Sequence, residues 1–250
     1  MTAYTKRLQK VTAVLCTTAL LAGCAAGTSG NTEPAATTAQ VKTITIEPTA
    51  AYQTMNGFGA SACWWSQEVG NWENAKDILS LLYDENSGIG LNIYRYNLGA
   101  GSKDDATITD PDRRAEAFID KDGSYHWERD AAAQNALALA KSMNKDLRVT
   151  LFSNSAPVFY TANGKAYCDY LPDEEKYVTN LEPERYADFA KYSIACAKHF
   201  TEAGYRVTGL SPINEPEWSW RGYEDGTAKQ EGCYYSKTQC RDLYKVFLKQ

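Results

Sequence analysis

Strand-like and helix-like segments alternate along this chain, and no other feature of the sequence constrains its fold as strongly. Apolar, strand-like segments occur at residues 55–62, 91–98, 147–152 and 207–213. A stretch with the helical spacing of apolar residues follows each of them. This order predicts an α/β fold in which helices cover a parallel sheet. No Gly-x-Gly-x-x-Gly or Walker A motif follows any of these strands, which disfavours a doubly wound nucleotide-binding sheet.

The predicted helices begin with ordinary start signals, and the last one reaches the end of the sequence. Asp130 is suited to cap the helix after the second strand, and Pro183 suits the first turn of the next helix. Residues 240–250 have the pattern of a fourth helix that breaks off without a capping residue. A complete (β/α)8 barrel needs eight strand–helix units, so we expect the front half of a longer protein, with a natural half-barrel as the alternative.

The segment Leu-Ser-Pro-Ile-Asn-Glu-Pro-Glu-Trp at residues 210–218 ends the fourth strand with polar groups. Pro212 and Pro216 prevent the strand from running on. Glu215 is therefore predicted at the carboxyl end of a parallel strand, which is the edge that carries the catalytic groups of a barrel. A carboxylic acid at this place, beside Asn214 and close to tryptophans, suits general acid catalysis on a sugar.

Five short segments of the chain carry a resemblance to a known family. Asn214-Glu215-Pro216 is similar to the acid/base motif on the fourth strand of retaining glycosidases with a (β/α)8 barrel. The other four segments occur in the expected order, and they are Gly57-Phe58-Gly59-Ala60-Ser61, Tyr94-Arg95-Tyr96-Asn97-Leu98-Gly99, Ser153-Asn154-Ser155-Ala156-Pro157 and Gln230-Glu231-Gly232-Cys233. Together they resemble glycoside hydrolase family 30, especially its endo-β-1,6-galactanase-like branch, from about residue 43 to residue 250.

The resemblance implies a TIM barrel, of which residues 55–250 supply about the first four strand–helix units. Residues 43–54 are then the N-terminal strand of a β-rich side domain. Glu215 becomes the general acid/base, and the nucleophilic carboxylate is expected on a seventh strand, beyond residue 250. The 250-residue chain alone is therefore expected to be inactive. Glu217 is expected at the rim of the cleft, because a partner across the substrate must come from another strand.

The same resemblance suggests which side chains bind the substrate. Asn214 is expected to hydrogen-bond the 2-hydroxyl of the sugar, and Arg95 to lie beside the nucleophile, with a structural ion pair as the alternative for Arg95. Asn154 and Ser155, after the third strand, are expected to bind hydroxyl groups, with Tyr160 as a weaker candidate. Four tryptophans that follow strands one and four are predicted to face one glycan cleft: Trp64, Trp65, Trp218 and Trp220.

The N-terminus has the features of a targeting segment. Residues 1–10 contain three basic side chains, and residues 11–21 form an apolar run that is too short to span a bilayer. Leu-Ala-Gly-Cys at residues 21–24 resembles a bacterial lipobox, which implies a lipoprotein signal peptide at residues 1–23 and lipid attachment at Cys24. An ordinary signal peptide is the alternative. Residues 24–42 are rich in small residues and are predicted to form a flexible tether.

Composition narrows the classes of partner and cofactor. The net charge is −5 and no basic patch is evident, so nucleic acid is not an expected partner. The chain has two histidines and no Cys-x-x-Cys spacing, which argues against a structural zinc site, and we expect neither a metal nor an organic cofactor. An exported protein can form disulfides, but the spacing of the cysteines does not identify a pair. No obligate protein partner is inferred.

These observations favour an extracytoplasmic, lipid-anchored retaining β-glycosidase at the bacterial cell surface. Its expected substrate is a β-linked glycan, with β-1,6-galactan first and β-1,6-glucan or xylan open. One alternative is a surface lipoprotein that binds glycans without catalysis. The other is a solute-binding lipoprotein of a transporter, for which the lipobox and tether fit equally well but the Asn-Glu-Pro motif does not.

Overall fold

The computed structural model describes residues 44, 45, 47, 49–173 and 177–250. The signal peptide, the lipidated Cys24 and the tether predicted from the sequence lie outside the described residues. The chain divides into a unit that ends at Tyr52 and a unit that runs from Gln53 to Gln250. Within the first unit, the described residues form turns and irregular backbone where the sequence predicted a strand. There the Thr49 amide and hydroxyl donate hydrogen bonds to the Glu47 carboxylate, a local arrangement that competes with strand pairing.

The second unit is built on a four-stranded parallel sheet. Its strands are β1 (Gly59–Ser61), β2 (Ile93–Asn97), β3 (Arg148–Phe152) and β4 (Arg206–Ser211), and they are paired in chain order. Each pair is parallel, so a helical crossover separates consecutive strands, as the alternating sequence pattern predicted. The predicted positions of all four strands are confirmed, although β1 covers only three of the eight residues expected.

The helices that connect and follow the strands pack against the sheet and against one another. They are α1 (Ser66–Val69), α2 (Ala75–Tyr83), α3 (Ala131–Met143), α4 (Tyr186–Glu202) and α5 (Lys237–Phe247), with short 3₁₀ turns at Pro111–Arg113, Val158–Tyr160 and Pro183–Arg185. The longest, α4, buries Phe189, Cys196 and Phe200 in the core. The ring of Phe200 contacts that of Tyr96 on β2 at a centroid distance of 4.9 Å. Among the described residues, no helix has the length and hydrophobicity required to cross a bilayer.

The residues at the N-cap positions of α5 and α3 use their side chains differently. Ser236 caps α5 with a full capping box, in which its hydroxyl accepts from the Gln239 amide and the Gln239 side chain accepts from the Ser236 amide. Asp130 occupies the N-cap position of α3, but its side chain does not cap the helix. Its carboxylate instead accepts a 2.6 Å hydrogen bond from the hydroxyl of Tyr96. The sequence therefore predicted the position of Asp130 correctly and the use of its side chain wrongly, since a buried tyrosine hydroxyl is the nearer donor.

The parallel arrangement determines where the site can form. The last residues of the four strands are Ser61, Asn97, Phe152 and Ser211, and they lie at one edge of the sheet. Phe152 is paired with Asn97 on one side and with Ser211 on the other. The segments that the sequence analysis selected lie on these strands or in the loops that follow them, so the fold brings several of their side chains to a common edge.

Candidate active site

Arg95 is the charged group at the centre of this edge. It lies on β2, and its Nη2 donates a 2.9 Å hydrogen bond to Oδ1 of Asn214, which follows β4. Its Nη1 lies 3.4 Å from the hydroxyl of Ser61 at the end of β1. The guanidinium also lies over the ring of Phe152 on β3, 3.3 Å from the centroid, which is a cation–π contact. Arg95 thus connects all four strands at the edge where the predicted catalytic residues lie.

The charge of Arg95 is held without a carboxylate partner in ion-pairing contact among the described residues. Burial lowers its pKa below the ordinary value, and the nearby thiol of Cys63 and carboxylate of Glu215 act in the opposite direction. In the part of the chain that is described, the alternative role of Arg95 as a structural ion pair is therefore not seen. A half-buried cation in contact with an amide and an aromatic ring favours a negatively charged group nearby.

Glu215 follows β4 in an unusual backbone conformation. Its φ is +43°, in the left-handed region that few residues other than glycine adopt. Its backbone carbonyl accepts two hydrogen bonds, from the Trp218 amide at 3.1 Å and from the indole Nε1 of Trp220 at 2.9 Å. The side chain itself is exposed. This turn therefore fixes the backbone of Glu215 and leaves its carboxyl group accessible to a ligand.

Asn154 and Ser155 lie beneath this edge and do not project from it. Asn154 is 5 % exposed, and its amide donates to Oδ1 of Asn97 at 3.1 Å and lies 3.5 Å from the sulfur of Cys63. Ser155 is also buried, and its hydroxyl lies 3.3 Å from the carbonyl of Ala156. Both side chains are engaged with the protein. They support the site from below in this structure, whereas the sequence analysis expected them to bind hydroxyl groups directly.

The four tryptophans line two cavities of the described structure, whereas the sequence analysis predicted that they face one glycan cleft. Trp218 and Trp220 line a cavity of about 650 Å³ between the loops after β3 and β4. Trp64 and Trp65 line another, of about 380 Å³, with Trp72 and three charged residues of the loop after β2. The cause is local: the chain enters α1 directly after Trp65, and the Trp65 indole donates back to the carbonyl of Ser61 at 2.8 Å.

The larger cavity, which we call the aromatic cavity, has the composition of a sugar-binding site. Exposed faces of Tyr170, Tyr177, Trp218 and Tyr223 contribute to its lining, and Glu217 lies at its wall. Flat aromatic surfaces bury large apolar areas against the C–H faces of sugars. Tyr160, the weaker candidate, does not line it; the ring of Tyr160 packs edge-on against Phe159 at 4.6 Å.

Glu231 is a polar residue of this region to which the sequence analysis gave no role. It is fully buried, and its Oε1 accepts hydrogen bonds from the Ala100 amide at 3.1 Å and the Ser102 hydroxyl at 2.6 Å. Its Oε2 has no hydrogen-bond partner. Burial raises the pKa of Glu231 to about 8, and burial likewise raises the pKa of Asp130 to about 7. The only sequence signal for Glu231 was its place in the Gln-Glu-Gly-Cys segment.

A metal centre finds no support in the described part of the chain, where no cluster of three or more His, Cys, Asp or Glu side chains could hold an ion. The chemistry available at the strand ends is that of an exposed carboxyl group, a half-buried guanidinium, amides and aromatic rings. Such a set can bind a polyhydroxylated ligand and transfer a proton to it.

Comparisons with known proteins show the family to which the chain is similar. A family model described as O-Glycosyl hydrolase family 30 matches residues 41–250. An endo-beta-1,6-galactanase of Hypocrea rufa is 31 % identical over 219 residues, which cover 77 % of this chain and 43 % of that protein. An endo-1,6-beta-D-glucanase of Trichoderma harzianum is 28 % identical, with 81 % of this chain and 42 % of that protein covered. The chain thus spans less than half the length of these relatives.

Solved structures give the same result for the fold. A conserved exported protein from Bacteroides fragilis superposes with a TM-score of 0.73 at 27 % identity, covering 82 % of this chain and 42 % of that one. An endo-beta1,6-glucanase superposes with a TM-score of 0.56 at 18 % identity, covering 79 % and 41 %. These likenesses confirm the predicted fold class, an α/β protein whose strand–helix units are part of a TIM barrel.

Proposed function

This chain belongs to O-glycosyl hydrolase family 30, and on that premise we propose that it forms part of a retaining hydrolase of β-1,6-linked glycans, with β-1,6-galactan as the preferred substrate. The observation that carries the proposal is the hydrogen bond between Arg95 and Asn214 beside the accessible carboxyl group of Glu215. It joins the ends of β2 and β4 at the edge where a barrel enzyme binds its substrate.

In this mechanism Glu215 is the general acid/base. Its protonated carboxyl group gives its proton to the glycosidic oxygen as the bond to the anomeric carbon breaks. The resulting carboxylate then removes a proton from the water that hydrolyses the glycosyl-enzyme intermediate. Asn214, held by Arg95, presents its amide nitrogen to the 2-hydroxyl of the sugar, where a hydrogen bond strengthens as positive charge develops.

We place the nucleophilic carboxylate outside these 250 residues. A retaining mechanism needs two carboxyl groups on opposite sides of the sugar, about 5–5.5 Å apart. Glu217 does not meet this requirement, because it is two positions from Glu215 on the same loop and lines the wall of the aromatic cavity. Arg95 supplies the positive charge that would keep the incoming nucleophile ionised.

The aromatic cavity is the place where we propose that further sugar units of the glycan bind. It begins at Glu217, Trp218 and Trp220, directly after the proposed acid. Stacking on exposed rings provides affinity, and the charged side chains at its wall provide hydrogen bonds to hydroxyl groups. The matches to an endo-beta-1,6-galactanase and an endo-1,6-beta-D-glucanase support a glycan with β-1,6 linkages as the occupant.

The test compares Glu215→Gln with Glu217→Gln in a protein that also includes the segment carrying the nucleophile. The first substitution is expected to lower kcat on β-1,6-galactan by about 100- to 10,000-fold, since general acid catalysis is lost. The loss of kcat/KM, which reports the first step, should be much smaller on an aryl glycoside whose leaving group needs no protonation, whereas kcat on that substrate still falls because Glu215 is also the base of the second step. Glu217→Gln should change kcat by less than about threefold. Equal losses in both variants, or equal losses of kcat/KM on both substrates, would refute the role of Glu215.

A second part of the test uses the 250-residue chain itself. We expect it to be retarded in gels that contain β-1,6-galactan and to release no sugar. Release of sugar that depends on Glu215 would show that the nucleophile lies within the chain. Retardation without hydrolysis in the longer protein as well would favour the alternative function, a surface protein that binds glycans without cleaving them.

We also propose that the protein is exported and anchored by lipid on Cys24. The segment at residues 21–24 resembles a lipobox, and a structural relative from Bacteroides fragilis is described as exported. In a bacterial host, Cys24→Ser should abolish incorporation of labelled fatty acid and move the protein out of the membrane fraction. Unchanged membrane association of this variant would contradict the anchor.

A further inference from the structure

Two buried cysteines from different loops meet behind the wall of the aromatic cavity. Cys168 lies in the loop after β3 and Cys233 in the loop after β4, and they are 4 % and 1 % exposed. Both thiols are free in this structure, and each shifts the pKa of the other, which places the two side chains next to each other. The sulfur of Cys168 also accepts a hydrogen bond of 3.4 Å from the amide of Tyr234, one peptide bond away from Cys233. The sequence analysis found no reason to pair these two residues.

The backbone around the two cysteines is fixed on both sides. The Gly232 amide donates to the Ala166 carbonyl at 2.8 Å, two residues before Cys168. The Cys168 amide donates to the Trp220 carbonyl at 2.8 Å, and its carbonyl accepts from the Gly222 amide at 2.7 Å. These bonds hold the two chain segments side by side, and a disulfide requires such proximity of the two backbones.

The electrostatics of the two thiols depend on each other. The interaction with Cys168 and further hydrogen bonds lower the pKa of Cys233, against the effect of burial. The same interaction and burial raise the pKa of Cys168. The two thiols therefore share one proton-binding environment, and a thiolate is the reactive form in thiol–disulfide exchange.

From this geometry we infer that Cys168 and Cys233 are joined by a disulfide bond in the mature protein. The oxidant is a disulfide, supplied by a thiol–disulfide oxidoreductase or by oxidised glutathione, which acts while the loops are still open during folding. The thiolate of one of the two cysteines attacks one sulfur of that disulfide and releases the other as a thiolate. The second cysteine, after losing its proton, attacks the first in the mixed disulfide. The oxidant leaves as two thiols, which carry the two protons and two electrons.

The proposed bond crosses between the two loops that form the aromatic cavity. It closes a loop of about 65 residues, and a cross-link over such a length removes much conformational freedom from the unfolded chain. Gly232, next to Cys233, lies against the ring of Trp220, where an added Cβ would come within 2.2 Å of that ring. The inference stands on these contacts alone and is independent of the proposed enzymatic function.

The other cysteines of the described chain provide internal controls. Cys196 is buried in α4, and its thiol interacts with the side chain of Tyr192. Cys63 lies beside Asn154. Cys240 is the competing partner for Cys233, because it is near enough for an electrostatic interaction with Cys233 to raise its pKa. Its sulfur, however, lies 3.9 Å from the carbonyl of Tyr235, and Cys168 is the residue in contact with Cys233.

The experiment refolds the chain in a glutathione redox buffer, blocks free thiols with N-ethylmaleimide under denaturing conditions and digests it without reductant. Mass spectrometry should find the peptides of Cys168 and Cys233 linked, while Cys63, Cys196 and Cys240 carry the label. Labelling of both Cys168 and Cys233, or a peptide that links Cys233 to Cys240, would overturn the inference. This measurement needs no variant and does not depend on the stability of one.

Thermal unfolding gives a second, independent readout. A reductant should lower the Tm of the oxidised wild-type chain by about 10 °C, from the size of the closed loop. Cys168→Ser and Cys233→Ser should unfold at the same temperature with and without reductant. Cys196→Ser, the matched control, should keep the full sensitivity to reductant. A wild-type Tm that reductant does not change would refute a stabilising disulfide.

Discussion

Glu215 and Glu231 are about sixteen residues apart in the connection from β4 to α5, and their environments are opposite. The side chain of Glu215 is exposed at the strand ends, and its hydrogen bonds to other described residues are made by its backbone carbonyl. Glu231 is fully enclosed, and its carboxyl group accepts hydrogen bonds from the loop after β2. The same residue type is thus open to solvent in one case and enclosed in the protein interior in the other.

The difference shows how one loop can be both open and firmly held. The segment with Glu215 and Trp218 faces solvent, where a polysaccharide can reach it. The segment with Glu231 anchors that loop to residues 100–102, and Arg113 donates to the neighbouring Gln230 side chain. A buried polar anchor stabilises only when its partners are satisfied. Substitutions at the two glutamates should therefore separate activity from stability.

The largest expected effect on stability comes from Glu231→Ala. This change leaves the Ala100 amide and the Ser102 hydroxyl buried without their acceptor, and it opens a cavity. We expect a loss of about 3–5 kcal/mol in the free energy of unfolding, measured by urea denaturation. Glu215→Ala should change it by no more than about 0.5 kcal/mol. Similar losses for the two variants would remove the contrast between the open and the buried glutamate.

The next largest effect is a dependence of stability on pH. The pKa of Glu231 is about 8 in the folded chain against an ordinary 4.5, so the folded state retains a proton that the unfolded state releases. The stabilising contribution is therefore complete below about pH 4.5 and is lost as the pH rises through about 8. Asp130, with a pKa of about 7 against 3.8, acts in the same direction.

Urea denaturation at pH 5 and pH 9 measures this effect. The free energy of unfolding should fall by on the order of 3 kcal/mol between the two. The isosteric, uncharged Glu231→Gln should accept the same hydrogen bonds and remove a large part of the fall. A variant that loses stability with pH as steeply as the wild type would show that Glu231 is not the titrating group.

The smallest expected effect is on the binding of oligosaccharides, and it compares the two cavities that the tryptophans line. Trp218→Ala in the aromatic cavity should weaken binding of β-1,6-galactan oligosaccharides by about 1–2 kcal/mol, or about 5- to 30-fold in Kd, because a stacking surface is removed. Trp72→Ala is the matched control, since Trp72 is similarly exposed but lines the smaller cavity. Isothermal titration calorimetry distinguishes them. Equal weakening by both would indicate that a glycan spans the two cavities.

Much of the fold could be predicted from the sequence, because its signals are local. Apolar runs, helical spacing and the prolines around Ile213 identified the four strands and placed Glu215 just after β4. The sequence did not predict the hydrogen-bond partner of a side chain where several donors or acceptors lie within reach. Asp130 bonds to Tyr96 instead of capping α3, and Trp65 turns back to the carbonyl of Ser61. In both cases a contact in the folded chain replaced the use that local patterns suggested.

The sequence by itself determined the order of strands and helices and the edge at which polar residues collect. Hydrophobic periodicity and the prolines that end a strand act over only a few residues. Only the tertiary structure decided which of those residues meet. Arg95 and Asn214 are 119 positions apart, and the loops that bury Glu231 and bring Cys168 close to Cys233 take paths that no short segment encodes. Such contacts depend on how parallel strands align and how loops pack over their ends, and these are properties of the whole assembled sheet.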